Sequence, residues 1–319
     1  MNKKLVVIGG GHGLATMLRG IKQLDDLDIS AIVTVADSGG STGRIRKYYD
    51  IPAMGDLRNV LVAFACDETI LKELLDYRFK GELEEDLLGH NLGNLILTAL
   101  SDKYGGLHEG IKVLSDFLKV KGKIIPASNQ NIDLFAKMDD GTIVKGESNI
   151  PNRNNRIKKV FYQEKVLANK EAVKAIDEAD YIIYGIGSLF TSVLPIVIID
   201  EIKKALKNSK AKKIYFCNNM TQPGETEGYN LEAHVDALIR TGVKVDCVIK
   251  AKDDIPTNLT TKYLKEGSFP VTVSRAIHDY KIYQYELLTF NDDYIRHDPQ
   301  KIKDCIKEVL EDINNVIYK

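Results

Sequence analysis

The sequence predicts a fold of the α/β class, and three patterns along the chain carry that prediction. Short apolar runs alternate with segments of helical spacing, four of the runs end in polar, glycine-rich turns, and short β-like pieces occupy residues 120–166. Strands separated by helices pair mostly in parallel and are covered on both faces. We therefore expect a three-layer α/β sandwich with a mostly parallel sheet and a small β-rich insertion.

In the first part of the core, residues 1–119, apolar and β-branched runs predict strands, and apolar residues at helical spacing predict helices. The predicted strands are 5–8 and 29–35, and the predicted helices are 14–24, 44–49, 57–65, 69–79, 95–100 and 107–118. Asp56 stands where the N-cap of the third of these helices is expected.

The β-rich insertion, residues 120–166, and the second part of the core, residues 167–319, follow. The insertion contains the strand-like pieces 123–126, 132–138, 142–146 and 159–162. Asp140-Gly141 between two of these pieces predicts a hairpin turn. In the second part of the core, strands are predicted at 181–184, 213–217 and 245–249, and helices at 171–178, 196–206, 231–241 and 299–316.

Composition limits the class of function. The chain has 319 residues, 44% of them hydrophobic, and a formal net charge of -1, so nothing indicates general nucleic-acid binding. The four cysteines are scattered, which disfavours zinc sites and disulfides and fits a reduced, cytoplasmic setting. No apolar stretch is long enough to span a membrane. A homodimer is the default expectation for the assembly.

Four polar glycine clusters follow predicted strands, and their positions are the main functional signal. They are residues 9–13, 37–43, 185–188 and 218–226. Because the carboxyl ends of parallel strands lie on one edge of a sheet, we expect these turns to meet there, where open α/β sheets bind ligands.

The first turn, Gly9-Gly10-Gly11-His12-Gly13, is typical of a strand–turn–helix that presents backbone N–H groups to a phosphate or pyrophosphate. Its glycine spacing differs from the dinucleotide fingerprint, and Leu14 stands where that fingerprint continues. An NAD-dependent oxidoreductase is therefore a third alternative that the spacing disfavours. A tight turn without a ligand is the other interpretation of these glycines.

The second turn adds hydroxyls, exposed backbone N–H groups and the nearby charge of Arg44, a set that suits an anion. Asp37 at its start is a candidate to hold a cation, bind a ribose or act as a general base, and Asp56 is a second candidate catalytic carboxylate. A solvated turn for Asp37 and simple helix capping for Asp56 remain alternatives.

Further polar groups cluster at predicted helix starts and in the last two turns. His12 and His90 are possible acid–base groups, although a lone histidine is more often structural. The residues predicted to contact a nucleotide or cofactor are Gly9, Gly10, Gly11, His12, Gly13, Asp37, Ser38, Gly39, Gly40, Ser41, Thr42, Arg58, Asn59, Asn91, Asn94, Gly185, Gly187, Ser188, Ser192, Asn218, Asn219, Thr221, Gln222, Gly224 and Glu225.

Taken together, the motifs resemble the bacterial gluconeogenesis factor family (YvcK-like), which is similar to the 2-phospho-L-lactate transferases (CofD-like). The resemblance runs in consistent order to residue 226. It rests on Gly9-Gly10-Gly11-His12-Gly13, Ala36-Asp37-Ser38-Gly39-Gly40-Ser41-Thr42-Gly43, Gly55-Asp56-Leu57-Arg58-Asn59, Gly89-His90-Asn91-Leu92-Gly93-Asn94, Gly187-Ser188-Leu189 and Asn219-Met220-Thr221-Gln222-Pro223-Gly224-Glu225-Thr226.

The resemblance implies a Rossmann-like cytoplasmic protein that regulates carbon metabolism and cell shape and binds a nucleotide sugar such as UDP-N-acetylglucosamine. The turn 9–13, Asp37 and the loop 218–226 are then nucleotide and sugar contacts, and a regulatory protein partner is possible. The alternative is a phosphotransferase of the 2-phospho-L-lactate transferase type, with magnesium held by Asp37 or Asp56. The chain has no tryptophan and no aromatic-rich segment suited to a deazaflavin acceptor, which disfavours that alternative.

Overall fold

A computed structural model of the protein describes residues 2–37, 39–80, 87–152, 155–291 and 293–317. Its strands are β1 (Lys3–Gly9), β2 (Leu27–Val33), β3 (Lys123–Pro126), β4 (Phe135–Met138), β5 (Ile143–Lys145), β6 (Ile157–Phe161), β7 (Tyr181–Tyr184), β8 (Lys212–Phe216), β9 (Cys247–Ala251), β10 (Lys281–Tyr285), β11 (Leu288–Phe290) and β12 (Ile295–His297). Its α-helices are α1 (Gly11–Ile21), α2 (Gly40–Ile45), α3 (Gly55–Phe64), α4 (Thr69–Asp76), α5 (Leu92–Tyr104), α6 (Leu107–Leu118), α7 (Lys170–Asp177), α8 (Leu194–Val197), α9 (Asp200–Asn208), α10 (Leu231–Arg240), α11 (Thr257–Lys265) and α12 (Pro299–Ile317).

Seven strands form the central parallel sheet in the order β10-β9-β8-β7-β1-β2-β3, and helices flank it. Residues 5–8 of β1 are at most 1% exposed, as expected for a parallel strand covered on both faces. The predicted α/β, Rossmann-like class is confirmed. From β1 the chain first builds outward through β2 and β3 and later returns to build β7–β10 on the other side. The strand order therefore reverses between β1 and β7.

The insertion forms a separate three-stranded antiparallel sheet in the order β5-β4-β6, which we call the lobe sheet. The predicted hairpin is confirmed: Gly141 has φ +89°, and the Thr142 N–H donates to Asp140 Oδ1 at 2.9 Å. The prediction that 123–126 belongs to the insertion is wrong, because this piece pairs with β2 as the edge strand of the central sheet. A run of only four residues carries too little pattern for the sequence to show which strand it pairs with.

Several helix boundaries differ from the prediction. The first two helices begin at Gly11 and Gly40, inside the glycine turns rather than after them. The helix predicted over 196–206 is two helices, α8 and α9, separated by extended backbone at Ile199, with Asp200 and Glu201 favouring a new helix start. The N-cap prediction for Asp56 is wrong, because Met54 is the N-cap and Asp56 lies in the first turn of α3.

Residues 252–298 carried no predicted element and contain α11, β10 and a short antiparallel hairpin, β11–β12. None of the helices in the described ranges has both the length and the apolar character that a membrane crossing requires.

Candidate functional site

A cleft of about 600 Å³ lies beyond the carboxyl ends of β1 and β7, where the strand order reverses. This is the position at which open α/β sheets bind their ligands. Four separate stretches and one lobe residue, Glu147, line it. The stretches are the start of α1, the turn after β7, the loop after β8 and the segment that ends in the β11–β12 hairpin.

The turn after β1 forms the floor of the cleft. Gly10 is extended and α1 has no side-chain cap, so the first N–H groups of the helix depend on other acceptors. Leu14 N–H reaches Gly10 O at 3.4 Å, and Gly11 N–H donates to the carboxylate of Asp56. The amides of His12 and Gly13 are left at the helix start, where the dipole is positive.

Gly10 and Gly13 are glycines for steric reasons. A Cβ on Gly10 would overlap Asp56 Oδ2 and Thr34, and one on Gly13 would lie 2.9 Å from the carbonyl oxygen of Ile186. The turns after β1 and β7 are therefore in direct contact, as the sequence predicts.

The turn after β7 faces the same cleft. Gly185 and Gly187 have φ of +92° and +158°, and the peptide bond Gly185–Ile186 is cis. Ser188 caps the π-helical turn Leu189–Val193 by accepting from the Thr191 N–H at 3.1 Å. The hydroxyl of Ser188 also donates to the buried carboxylate of Glu225, which ties this turn to the loop after β8.

The loop after β8 contributes side-chain amides and hydroxyls. Asn218 Nδ2 donates to the carbonyl of Gly187 at 2.8 Å. Asn219 is 8% exposed and lines the cleft, and its Nδ2 has no hydrogen-bond partner among the described residues. Segment 268–271 holds this loop through hydrogen bonds that include Thr221 N–H to Phe269 O and Val271 N–H to Asn219 O. The buried donor of Asn219 is thus held beside the cleft without a partner among the described residues.

Sequence reasoning missed the wall formed by α11 and the hairpin. It consists of Tyr263, Ser268, Leu288, Ile295, Arg296 and His297. Arg296 is exposed and has no ion pair among the described residues, and its guanidinium lies 5.0 Å from the Tyr294 ring. Burial lowers the pKa of His297 to about 4, so it is neutral at pH 7. The only signal available in the sequence was Arg296, the single arginine of residues 285–297, which contain no glycine.

Arg19, Glu147 and Glu225 also bring charge to the cleft, and Arg19 is paired with Glu68 at 2.7 Å. Burial, followed by the nearby carboxylates of Asp37, Asp56 and Glu225, raises the pKa of Glu147 to about 7. Burial also raises the pKa of Glu225. Glu147 can therefore donate or accept a hydrogen bond near neutral pH.

Asp37 and Asp56 form a carboxylate pair behind the floor. Burial and then the charge of Asp37 raise the pKa of Asp56 to about 7, while the Gly11 N–H and Arg58 act in the opposite direction. Asp37 Oδ1 accepts from the Gly39 N–H at 2.8 Å. Asp56 thus supports the start of α1 instead of capping its own helix.

A buried polar network joins α2, α3 and the start of α5 beside this pair. Ser41 Oγ lies 3.1 Å from His90 Nδ1, and Asn94 Nδ2 donates to Thr42 Oγ1 at 3.2 Å. Arg58 donates to Asn94 and Asn59. The network therefore ties α2 and α5 to α3 through side chains.

The structure divides the predicted site residues into two groups. Those that line the cleft are Gly10, Gly11, His12, Gly13, Gly187, Ser188, Ser192, Asn218, Asn219, Thr221, Gln222 and Glu225. Those that lie outside its lining are Gly9, Asp37, Gly39, Gly40, Ser41, Thr42, Asp56, Arg58, Asn59, Asn91, Asn94, Gly185 and Gly224. Ser38 lies outside the described residues.

Comparison with known proteins agrees with this architecture. The family model "2-phospho-L-lactate transferase CofD" matches residues 5–288. The chain is 44% identical to a gluconeogenesis factor of Halalkalibacterium halodurans, covering 96% of both chains, and 41% identical to that of Bacillus subtilis, covering 97% of this chain and 98% of that one. The chain belongs to the gluconeogenesis factor family of CofD-like proteins.

The fold is shared within this family. A crystal structure of a protein from Bacillus halodurans superposes with a TM-score of 0.90 at 42% identity, covering 96% of this chain and 100% of that one. A putative gluconeogenesis factor of Aquifex aeolicus is 43% identical over 96% of both chains.

Magnesium is the metal that the CofD likeness implies. Whether this chain could hold it depends on the carboxylates that lie beside the cleft. Among the described residues, no group of three or more His, Cys, Asp or Glu side chains is arranged as a metal site. Mg²⁺ bound with phosphates needs only one or two carboxylates, since water and phosphate oxygens complete its coordination. The pair Asp37 and Asp56 fits that smaller requirement.

Proposed function

We propose that the cleft binds a nucleoside diphosphate sugar of the UDP-N-acetylglucosamine type and that the protein acts in the cytoplasm as a regulator of carbon metabolism and cell-wall synthesis. The single observation that carries the proposal is the meeting of two helix-start turns, 10–13 and 187–188, in one cleft of about 600 Å³. The names of the curated relatives support the metabolic part of the proposal.

A diphosphate fits the floor of the cleft. The N–H groups of His12 and Gly13 lie at a helix start, and Arg296 on the opposite wall is a cation without an ion pair among the described residues. Backbone donors at a helix dipole and a guanidinium are the two features that recognise phosphate oxygens. We expect Arg296 and the turn to contact the same diphosphate from two sides.

The base and sugar fit the remaining polar groups. Asn219 presents a buried amide donor that has no partner in the described part of the chain, and Thr221 and Gln222 lie beside it. Glu147 and Glu225 are suited to accept hydrogen bonds from sugar hydroxyls. A site built to pair polar groups rejects ligands that leave them unpaired, so the sugar should add to affinity.

Calorimetry with UDP, UDP-glucose and UDP-N-acetylglucosamine tests the proposal. We expect saturable binding that is weaker for UDP alone. Asn219→Leu should lower the affinity because it removes a buried donor, whereas Asn258→Leu, at an exposed position of α11, should not. Absence of binding of all three ligands at millimolar concentration would refute the proposal.

The carboxylate pair favours a second candidate function, a phosphotransferase of the 2-phospho-L-lactate transferase type. Asp56 lies behind the phosphate-facing turn, where burial and the charge of Asp37 raise its pKa to about 7. Asp37 and Asp56 would hold magnesium, which would neutralise charge on a diphosphate during transfer. This chain's glycine turn would bind and orient the substrate.

Asp37→Asn separates the two functions. If the protein is a transferase, the variant should lose turnover of a nucleotide-linked phospholactate and largely retain nucleotide binding. Equal turnover by the variant and the parent protein would exclude Asp37 as the residue that holds the metal or acts as the base. Binding without turnover in the parent protein would leave the regulatory function as the explanation of the cleft.

A further inference from the structure

The lobe sheet turns one face to the hydrophobic core and the other to solvent. Ala136, Met138, Val144, Ile157 and Val160 are buried on the inner face. The strand register places the alternate residues together on the outer face. They are Phe135, Lys137, Ile143, Lys145, Lys159 and Phe161, which with Lys158 we call the lysine face.

Two lysines of this face lie directly opposite each other. Lys137 pairs in register with Lys159 in the antiparallel ladder between β4 and β6. Like charges in this position destabilise a sheet. In the described part of the chain, no carboxylate lies within ion-pair distance of Lys137, Lys158 or Lys159, whereas Lys145 is paired with Asp133 at 2.9 Å. The opposed pair therefore carries an electrostatic cost that no ion pair within the described ranges offsets.

The floor beneath the lysines is aromatic but covered. The Phe135 and Phe161 rings stack with centroids 5.8 Å apart. Lys145 Nζ lies 5.9 Å from one ring and Lys159 Nζ 5.7 Å from the other. Phe135 is only 8% exposed, and the partly buried Phe161 ring lies beneath Lys159, so neither ring is fully open to stack with nucleobases. The face can therefore attract a ligand through the charged ends of its lysines, but not through stacking on aromatic rings.

A groove continues the face along the edge of β5. Its volume is about 420 Å³, and Ile143, Lys145, Asn149 and Asn152 line it. Ile143 is 56% exposed there. An extended chain can place apolar atoms on Ile143 and carboxylates on the lysines.

We propose that the lysine face is a docking surface for an acidic polypeptide segment of a partner protein. Charge complementarity selects the partner: three lysines that lack carboxylate partners among the described residues attract negative groups, and the covered rings disfavour a nucleic acid. The lobe also supplies Glu147 to the cleft, so a partner seated here lies on the same small unit that completes the ligand site.

Fluorescence anisotropy with a short labelled poly-L-glutamate tests this proposal on the whole protein at physiological ionic strength. Lys137→Glu should weaken binding about tenfold, because it removes one attraction and adds a repulsion. Its new carboxylate faces Lys159, so the variant should melt no earlier than the parent protein. Lys204→Glu on α9 makes the same change of charge at another exposed position and should alter binding less than about twofold.

Three results would overturn the proposal. They are the absence of poly-L-glutamate binding by the parent protein, equal losses in Lys137→Glu and Lys204→Glu, and equally tight binding of an oligothymidylate of the same length. Lys159→Gln provides a second test, since it leaves a single lysine of the opposed pair and should also weaken binding.

Discussion

The two walls of the cleft differ in how they are built. The glycine wall, residues 10–13 and 187–188, uses backbone groups at the ends of the buried strands β1 and β7. The hairpin wall, Leu288 and 295–297, uses side chains on two three-residue strands at the periphery. The shape of the site thus depends on the core, whereas its positive charge depends on a surface element. Changes in the first wall should affect both folding and binding, and changes in the second should affect mainly binding.

The largest effect is expected from Gly10→Ala. The added Cβ would overlap Asp56 and Thr34 and displace the turn, which should cost about 1–3 kcal/mol of stability. Affinity for UDP-N-acetylglucosamine should fall roughly 100-fold, since two hydrogen bonds to charged phosphate are each worth about 1.5 kcal/mol or more. Gly9→Ala is the control, because its nearest neighbour would be an ordinary contact at 3.6 Å. Thermal melts measure the loss of stability, and calorimetry measures the loss of affinity. A variant as stable as the parent protein and with normal affinity would contradict the role of this wall.

Arg296→Ala should sharpen the contrast by changing binding alone. The loss of one guanidinium–phosphate interaction should weaken affinity about 10- to 100-fold. The melting temperature should stay unchanged, since the side chain is exposed and without an ion pair among the described residues. Lys262→Ala is the matched control: Lys262 also lies near the Tyr294 ring, at 5.6 Å, but outside the cleft lining. If both variants bind like the parent protein, the hairpin wall carries no phosphate contact.

Asp253→Asn tests whether the hairpin needs its internal support. Asp253 accepts from the N–H groups of Leu287 and Leu288 at 2.7 and 3.0 Å, and Lys301 lies 3.6 Å away. An amide can accept at only one of these positions, so the hairpin should loosen and affinity should fall roughly three- to tenfold. The exposed neighbour variant Asp254→Asn should show neither effect in calorimetry. An unaltered Asp253→Asn protein would show that other contacts fix the wall.

The smallest effect concerns Glu147 and pH. Its pKa is about 7 in the folded protein, against an ordinary value of 4.5 that holds in the unfolded chain. Between these pH values the folded state holds a proton that the unfolded state has lost, so stability falls as pH rises from about 4.5 to about 7 and is flat above. Glu147→Gln should reduce this slope and raise the melting temperature at pH 8 but not at pH 4.5. It should also strengthen diphosphate binding a few-fold at pH 8, since ionised Glu147 repels the ligand.

The control for this effect is the exposed Glu164→Gln, which should leave the melting curve unchanged at both pH values. Asp56 contributes a slope of the same sign, because its pKa is also raised to about 7, so the Glu147→Gln profile should become shallower without becoming level.

The glycine wall was predictable because its information is local. A glycine run such as Gly9-Gly10-Gly11-His12-Gly13 after an apolar strand predicts a turn from the local sequence alone. Parallel pairing of the strands then brings such turns together. The fold class followed from the same alternation. The hairpin wall was not predictable, because Arg296 reaches the cleft through tertiary packing of two very short strands.

Asp56 illustrates the same limit. Its position near a helix start suggested capping, and only the folded structure shows that its carboxylate accepts from Gly11 in a different helix. The strand β3 could not be told from the lobe pieces, since pairing with β2 joins residues about ninety positions apart.

The placement of β1 between β2 and β7 has a consequence for biosynthesis. Residues 5–8 pair on one side with 29–32 but on the other only with 181–184. While the ribosome makes the intervening segment, this interior strand of the sheet has one edge without a hydrogen-bonding partner strand. Because the final cleft wall ends at residue 297, ligand capture can stabilise only a chain that has been translated past this residue.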